Sequence, residues 1–167
     1  SSDDSVISVA GTGVDDKRAP FSNWGQPVDI AAPAMDVLGI RARGTDFLLY
    51  VGENPEYAAG TGIVGDDQSS YRASGTSFAA PLVSGTASLI RSLRPDLSAA
   101  DVRRMLLMSA DDVETVGWDQ FTGVGRLNAA KAMAADPSYF AGERITEVRP
   151  VRKGAAIEID VLGQAVG

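Results

Sequence analysis

Short apolar runs separated by polar loops occupy the first part of the chain. Residues 5–11 form a β-branched run that ends in glycine, and residues 28–33 form a second run that a proline terminates. Both patterns predict short buried strands, and the charged residues 15–18 between them predict an exposed loop. Residues 41–68 are rich in glycine and show no clear period, which predicts a long loop or hairpin region with residues 47–51 as its strand-like part.

Helical periodicity begins near residue 77. Apolar or small side chains recur at helical spacing up to Leu93, and Pro95 follows, so we predict a buried helix over residues 77–93. Ser98 and Asp101 have the spacing of a capping box, in which each side chain accepts a hydrogen bond from the other residue's backbone N–H. This pattern predicts a second helix over residues 99–109, with Val102, Met105, Leu106 and Met108 on its buried side.

The last part of the chain combines a short helix with two strands. Asn128 is a suitable N-cap for an alanine-rich helix that ends near residues 136–137. Residues 145–151 and 155–162 predict two strands joined near residues 153–154, and the second strand alternates apolar and acidic residues. The change in composition near Tyr139 predicts a boundary between a region 1–137 and a β-rich extension 138–167. The mixture of strands and helices indicates an α/β fold.

Composition narrows the chemistry. The 167 residues include 15 Lys and Arg, 22 Asp and Glu, and no His or Cys, which gives a formal charge of −7. Without cysteine there is no thiol nucleophile or disulfide, and without histidine the usual base for activating a serine is absent. A pI of about 4.5 argues against nucleic acid as a partner. The sequence has no apolar run long enough to predict a membrane span.

The candidate chemistry lies in residues 75–81, Gly-Thr-Ser-Phe-Ala-Ala-Pro, where a loop becomes the predicted helix. A helix N-terminus presents free N–H groups and a positive dipole end, which can stabilise an oxyanion beside a serine hydroxyl. The alternative is that Thr76 and Ser77 are ordinary helix caps, which are far commoner than catalytic serines. The segment is not the G-x-S-x-G elbow, because Ala79 replaces the second glycine. We find no P-loop motif elsewhere in the sequence.

This segment, together with Val83-Ser84-Gly85, closely resembles the sequence around the nucleophile of the subtilisin-like serine proteases, the subtilases. Residues 5–10, 21–25 and 28–33 are similar to the strand, loop and strand that precede that serine in the family. The predicted helix from Ala99 and residues 123–129 resemble the end of the catalytic domain. The resemblance covers residues 5–135 and implies the late strands and helices of a parallel-sheet α/β domain.

The resemblance also implies roles for individual residues. Ser77 takes the place of the acyl-forming nucleophile, and its backbone N–H takes that of an oxyanion donor. Thr76 matches a position whose hydroxyl assists there, Gly75 precedes it, and Ala73 and Ser74 match the stretch beside the bound substrate backbone. The sequence departs from the family at Leu82, where a histidine is usual, at Ala34, where a glycine is usual, and over residues 41–72, which show no clear match. We expect a change in packing at Leu82 and an altered turn at Ala34.

In the family order, the catalytic Asp, the catalytic His and the oxyanion Asn all precede the first matched strand. We therefore expect an N-terminal half of the protease domain to supply them, and we interpret Asp15, Asp16 and Asp29 as structural carboxylates. Asp111, Asp112 and Glu114 could hold calcium, which the resemblance allows, or could form a solvated turn. Beyond that, no cofactor or metal is evident in the sequence. Extracellular or cell-surface residence follows from the resemblance alone.

These observations leave three hypotheses. In the first, the chain is part of a serine endopeptidase that acts on proteins or peptides, and it is inactive without its missing groups. In the second, it is a catalytically incomplete module with a structural or binding role. In the third, residues 1–167 are a fragment whose open sheet edge leads to self-association, so we expect a dimer or a larger species in isolation.

Overall fold

The structure is a computed structural model that describes residues 5–41, 63–64, 66–67 and 69–136, together with the backbone of residues 143–153 and 156–165. Strand β1 spans Val9–Thr12 and strand β2 spans Ile30–Pro33. They pair in parallel, with Val9 opposite Ile30 and Thr12 opposite Pro33. Both predicted strands are confirmed, although each begins later than its apolar run.

Three further short strands form an antiparallel sheet in the order β3-β5-β4. β3 is Val37–Ile40, β4 is Ile63–Val64 and β5 is Ser70–Ala73. The sequence pattern did not predict β3 or β5, because neither segment has a strong apolar alternation and their pairing joins residues that lie 30 to 36 positions apart. The strand-like run at residues 47–51 lies outside the described residues.

Helix α1 spans Thr76–Leu93 and confirms the predicted helix. It contacts β1 and β2 and buries Ala79, Val83, Thr86 and Ile90. The expectation that the whole helix is buried is wrong, because its other face is exposed along Leu82, Leu89 and Leu93. Small side chains such as Ala79, Ala32 and Ala34 let the helix approach the sheet closely within the main core.

Helix α2 spans Ala99–Met108 and helix α3 spans Ala129–Ala134. The capping box at Ser98 is confirmed: the Ser98 hydroxyl accepts from the Asp101 N–H, and the Asp101 carboxylate accepts from the Ser98 N–H. Asn128 caps α3 by accepting from the Lys131 N–H at 2.9 Å. The expected burial of Met108 is wrong, because its position at the end of α2 turns the side chain outward and leaves it 62% exposed.

Strands β6, Glu143–Lys153, and β7, Ala156–Ala165, form a separate antiparallel pair. They confirm both predicted C-terminal strands and extend each one. The boundary near Tyr139 lies outside the described residues and stays a prediction. Within the described part of the chain, no helix combines the length and the apolar character that crossing a bilayer requires. The parallel strands with packed helices confirm the α/β class.

Candidate active site

Ser77 is the second residue of α1 and is exposed to solvent. Its hydroxyl makes no hydrogen bond to any described residue, and neither Thr76 nor Ser77 caps the helix. The interpretation of these residues as caps is therefore wrong. The backbone N–H of Ser77 also lacks an acceptor among the described residues, and the first turn of α1 contains no acidic side chain to offset the helix dipole.

Gly75 is the N-cap residue and sets the direction in which the chain enters α1. Its φ of 153° and ψ of 151° place it in a backbone region that is essentially restricted to glycine. The Gly75 carbonyl accepts from the Phe78 N–H at 3.0 Å, which closes the first turn beneath Ser77. Gly75 therefore exposes the serine through its backbone conformation.

The chain before Gly75 is fixed by the segment that follows β2. The Gly75 N–H donates to the Ala34 carbonyl at 2.8 Å, and the Ser74 hydroxyl accepts from the Asp36 N–H at 2.9 Å. Ala73 is the last residue of β5 and pairs with Val37. Each of residues 73–75 is thus paired with or hydrogen-bonded to a residue in the segment 34–37. Ala73 and Ser74 are the residues predicted to lie beside the substrate.

Thr76 packs on the end of β1. A Cβ built on Gly11 would lie 3.3 Å from the Thr76 methyl and only 2.5 Å from the Ala34 Cβ, so only glycine fits between them. The Phe78 ring meets Tyr71 edge to face, with centroids 6.2 Å apart. These contacts hold the two residues on either side of Ser77, so the serine is positioned by its neighbours.

The two departures from the family pattern have different consequences. Ala34 is fully buried and does not adopt a positive φ, so the turn after β2 does not require glycine there. Its methyl group instead occupies the space that Gly11 leaves open. Leu82 lies on the outer face of α1 and is half-exposed.

The early acidic residues have structural partners. Asp29 accepts from the Ser8 N–H at 2.7 Å and pairs with Arg103 at 2.7 Å. Asp16 pairs with Arg126, and Asp15 accepts from the Lys17 N–H. None of these interactions involves Ser77, which agrees with the interpretation of these carboxylates as structural.

Asp111 is the centre of a group of ion pairs. Its two oxygens accept from Lys131 at 2.6 Å, from Arg126 at 2.8 Å and from Asn128 at 3.0 Å. These hydrogen bonds, that from Lys131 above all, lower the pKa of Asp111 from 3.8 to about 2. The hydrogen bond from Arg126 to Asp111, followed by the one to Asp16, raises the pKa of Arg126.

Asp112 and Glu114, the acidic residues after Asp111, accept hydrogen bonds from two separate donors. Asp112 accepts from the Gly117 N–H, and Glu114 accepts from the Arg18 N–H. The described residues contain no group of three or more carboxylates that converges on one point. The three acidic residues 111, 112 and 114 therefore do not form a site that fits a calcium ion.

Sequence reasoning located Ser77 but missed the residues that position it. Gly11 and Ala34 are small residues near the ends of β1 and β2, and their meeting beneath Thr76 is visible only in three dimensions. Asp36 has a φ of 55°, and its short polar side chain tolerates this conformation better than most residues do. The sequence signal that could have identified Gly11 and Ala34 is that each is a small residue at the end of an apolar run.

Comparison with known proteins agrees with this geometry. The model of the Subtilase family matches residues 1–125. Mycosin-4 of Mycobacterium tuberculosis is 30% identical over 149 residues, which are 89% of this chain and 30% of that protein. The cell wall-associated protease of Bacillus subtilis is 27% identical over 176 residues, covering 92% of this chain and 17% of that protein.

Among solved structures, the chain is similar to fervidolysin from Fervidobacterium pennivorans, a keratinolytic enzyme related to subtilisin. The TM-score is 0.64 at 21% identity, over 96% of this chain and 26% of fervidolysin, which supports the fold alone. The chain thus spans less than a third of the length of each of these proteins. Because the family match covers most of the chain and includes the Gly-Thr-Ser segment at the start of α1, the chain belongs to the subtilase family.

Proposed function

We propose that Ser77 is the nucleophile of a serine endopeptidase and that this chain supplies the nucleophile and part of the oxyanion site. The observation that supports this proposal lies at the start of α1. The hydroxyl of Ser77 is exposed, and neither it nor the backbone N–H of Ser77 has a hydrogen-bond partner among the described residues. A buried or capping serine would have used its hydroxyl within the fold. Here the hydroxyl is left free for a substrate.

In the proposed reaction, the Ser77 oxygen attacks the carbonyl carbon of a peptide bond. The hydroxyl proton passes to a base, a C–O bond forms, and the carbonyl oxygen becomes an oxyanion near the Ser77 N–H. Collapse of this intermediate breaks the C–N bond, and the amine leaves with the proton. Water then attacks the ester carbonyl carbon and gives a proton to the base, the C–O bond to Ser77 breaks, and Ser77 takes that proton from the base as the acid product leaves.

The base must come from outside these residues, because the chain contains no histidine. We propose that an N-terminal part of the protease domain supplies the Asp, the His and the oxyanion Asn. In subtilisin itself, removing the triad lowers turnover by about 10⁶-fold. The 167 residues alone are therefore expected to show almost no hydrolysis.

The family and the relatives support proteins or peptides as the substrate class. The name of the cell wall-associated relative supports an extracellular or cell-surface location. A second candidate function, a structural or binding module, is favoured by the missing histidine.

A fluorophosphonate probe tests the proposal. We expect the full-length protein to be labelled at Ser77 and the isolated 167 residues to be labelled at least about a thousandfold more slowly. Ser77→Ala should abolish labelling, whereas Ser88→Ala, at another exposed serine of α1, should not change it. Labelling at another serine would refute the assignment of Ser77 as the nucleophile, and no labelling in the full-length protein would favour the binding module.

A further inference from the structure

Both tryptophans of the chain lie where the segment 18–28 meets the segment 112–121. Trp24 is 58% exposed and Trp118 is 51% exposed. Trp24 packs against Phe121, with ring centroids 5.8 Å apart and ring planes tilted by 53°. We call Trp24, Trp118 and Phe121 the aromatic surface.

The aromatic surface is held in place by hydrogen bonds. The Gly25 N–H donates to the Gln120 carbonyl at 2.7 Å, which joins the two segments. The indole N–H of Trp118 donates to the Val28 carbonyl at 3.4 Å, and the Phe121 N–H donates to Asp119 at 2.7 Å. Rings that are already ordered lose little conformational freedom on binding, which is characteristic of residues that dominate interfaces.

The surroundings of the aromatic surface favour a cation. Asp112 and Glu114 are exposed and each accepts a backbone N–H at the edge of the surface, from Gly117 at 2.8 Å and from Arg18 at 2.7 Å. Neither carboxylate forms an ion pair with another described residue.

A guanidinium already rests on part of this surface. The Arg18 guanidinium lies 5.7 Å from the centroid of the Phe121 ring, and it is held there by the carbonyls of Ala19, Pro20 and Ser22. This contact is an example of a planar cation on one ring of the aromatic surface, and each of the two indoles keeps about half of its area exposed.

We propose that the aromatic surface binds a lysine- or arginine-bearing segment of a partner protein. The cation of the partner lies over an indole face while Asp112 and Glu114 offset its charge. The formal charge of −7 attracts such a segment over a longer range. This inference does not depend on the chemistry of Ser77.

Intrinsic fluorescence tests the proposal directly, because both tryptophans belong to the aromatic surface. A short synthetic peptide of alternating glycine and arginine should change the emission of the chain saturably, and a glycine–glutamate peptide should not. Relative to its quenching of free tryptophan, caesium should quench the emission more strongly than iodide, because the carboxylates attract cations and repel anions. Equal responses to the two peptides would overturn the proposal, and so would a change in emission with protein concentration alone, which would indicate a second copy as the occupant.

Variants separate the aromatic from the acidic contribution. Trp118→Ala should weaken peptide binding by about tenfold or more. Asp112→Asn combined with Glu114→Gln keeps both hydrogen-bond acceptors and should weaken binding by about threefold while reducing its dependence on salt. Leu93→Ala is the control, because Leu93 is an apolar side chain that is 63% exposed on α1, outside the aromatic surface. Unchanged binding in the acidic double variant would contradict the proposal even if Trp118→Ala fails to fold.

Discussion

Replacement of Gly75 by alanine tests whether the backbone before Ser77 is held in a glycine-only conformation. An alanine Cβ would lie 3.7 Å from the Phe78 ring and 3.9 Å from the Ser77 nitrogen, which are ordinary contact distances. The added methyl group therefore meets no steric barrier. Any loss of stability must come from the φ of 153° and ψ of 151°, which an L-residue rarely adopts.

Strain of this kind amounts to about 1–3 kcal/mol. For a chain of this size, Gly75→Ala should lower the thermal midpoint by roughly 2–12 °C. Urea unfolding followed by circular dichroism measures the change in the free energy of unfolding, and an unchanged slope would show that the denatured state is not altered.

Gly85→Ala is the matched control on the same helix. Gly85 lies inside α1, is exposed, and a Cβ there would meet no atom within 4 Å. Alanine should therefore raise the free energy of unfolding by about 0.5–1 kcal/mol, since it is the better helix former. The two substitutions add the same methyl group and should act in opposite directions. If both shift the midpoint the same way, the backbone argument is wrong.

Three other changes probe the packing, the ion pairs and the caps. Gly11→Ala should lower the free energy of unfolding by about 1–3 kcal/mol in denaturant titrations, and adding Ala34→Gly should restore much of that loss by removing the opposing methyl group. Because the pKa of Asp111 falls to about 2 on folding, its stabilising effect is complete above its ordinary value of 3.8 and is lost as the pH falls towards 2. Asp111→Asn should therefore flatten the pH dependence of unfolding in that window, and an unchanged profile would refute the role of its ion pairs. Ser98→Ala should lower the free energy of unfolding by about 1 kcal/mol in calorimetry, whereas Ser98→Thr, which keeps the hydroxyl that bonds to Asp101, should retain most of the stability.

Local signals in the sequence predicted the helices well. The caps at Ser98 and Asn128 lie within three residues of the N–H groups they bind, so short segments determine them completely. Burial was harder to predict at helix ends. Met108 continues the apolar pattern of α2, but it is the last residue of the helix and is 62% exposed, whereas Met105 and Leu106 in the same turn are fully buried.

Features that depend on distant segments were not predictable from the pattern. β3 and β5 lack a strong apolar alternation, and their pairing depends on bringing Val37 to Ala73. The same holds at the candidate site. The resemblance to the subtilases was recognised from Ser77 and the residues next to it in the sequence. The hydrogen bonds that fix the backbone before Ser77 join Ala34 to Gly75 and Asp36 to Ser74, which lie about 40 residues apart along the chain.

The starts of the three helices in the described part of the chain support a functional role for Ser77 independently of sequence similarity. α2 and α3 each begin with a side chain that accepts a free backbone N–H, a contact that contributes about 1 kcal/mol. α1 is the longest of these helices and begins with Gly75, without a side-chain cap and without an acidic residue in its first turn. The chain therefore caps its two shorter helices with a side chain but forgoes that stabilisation at the start of α1, where no side chain covers the N–H groups of the first turn, that of Ser77 among them. That place is where an oxyanion would need the N–H, which is the expected trade-off for a residue retained for chemistry.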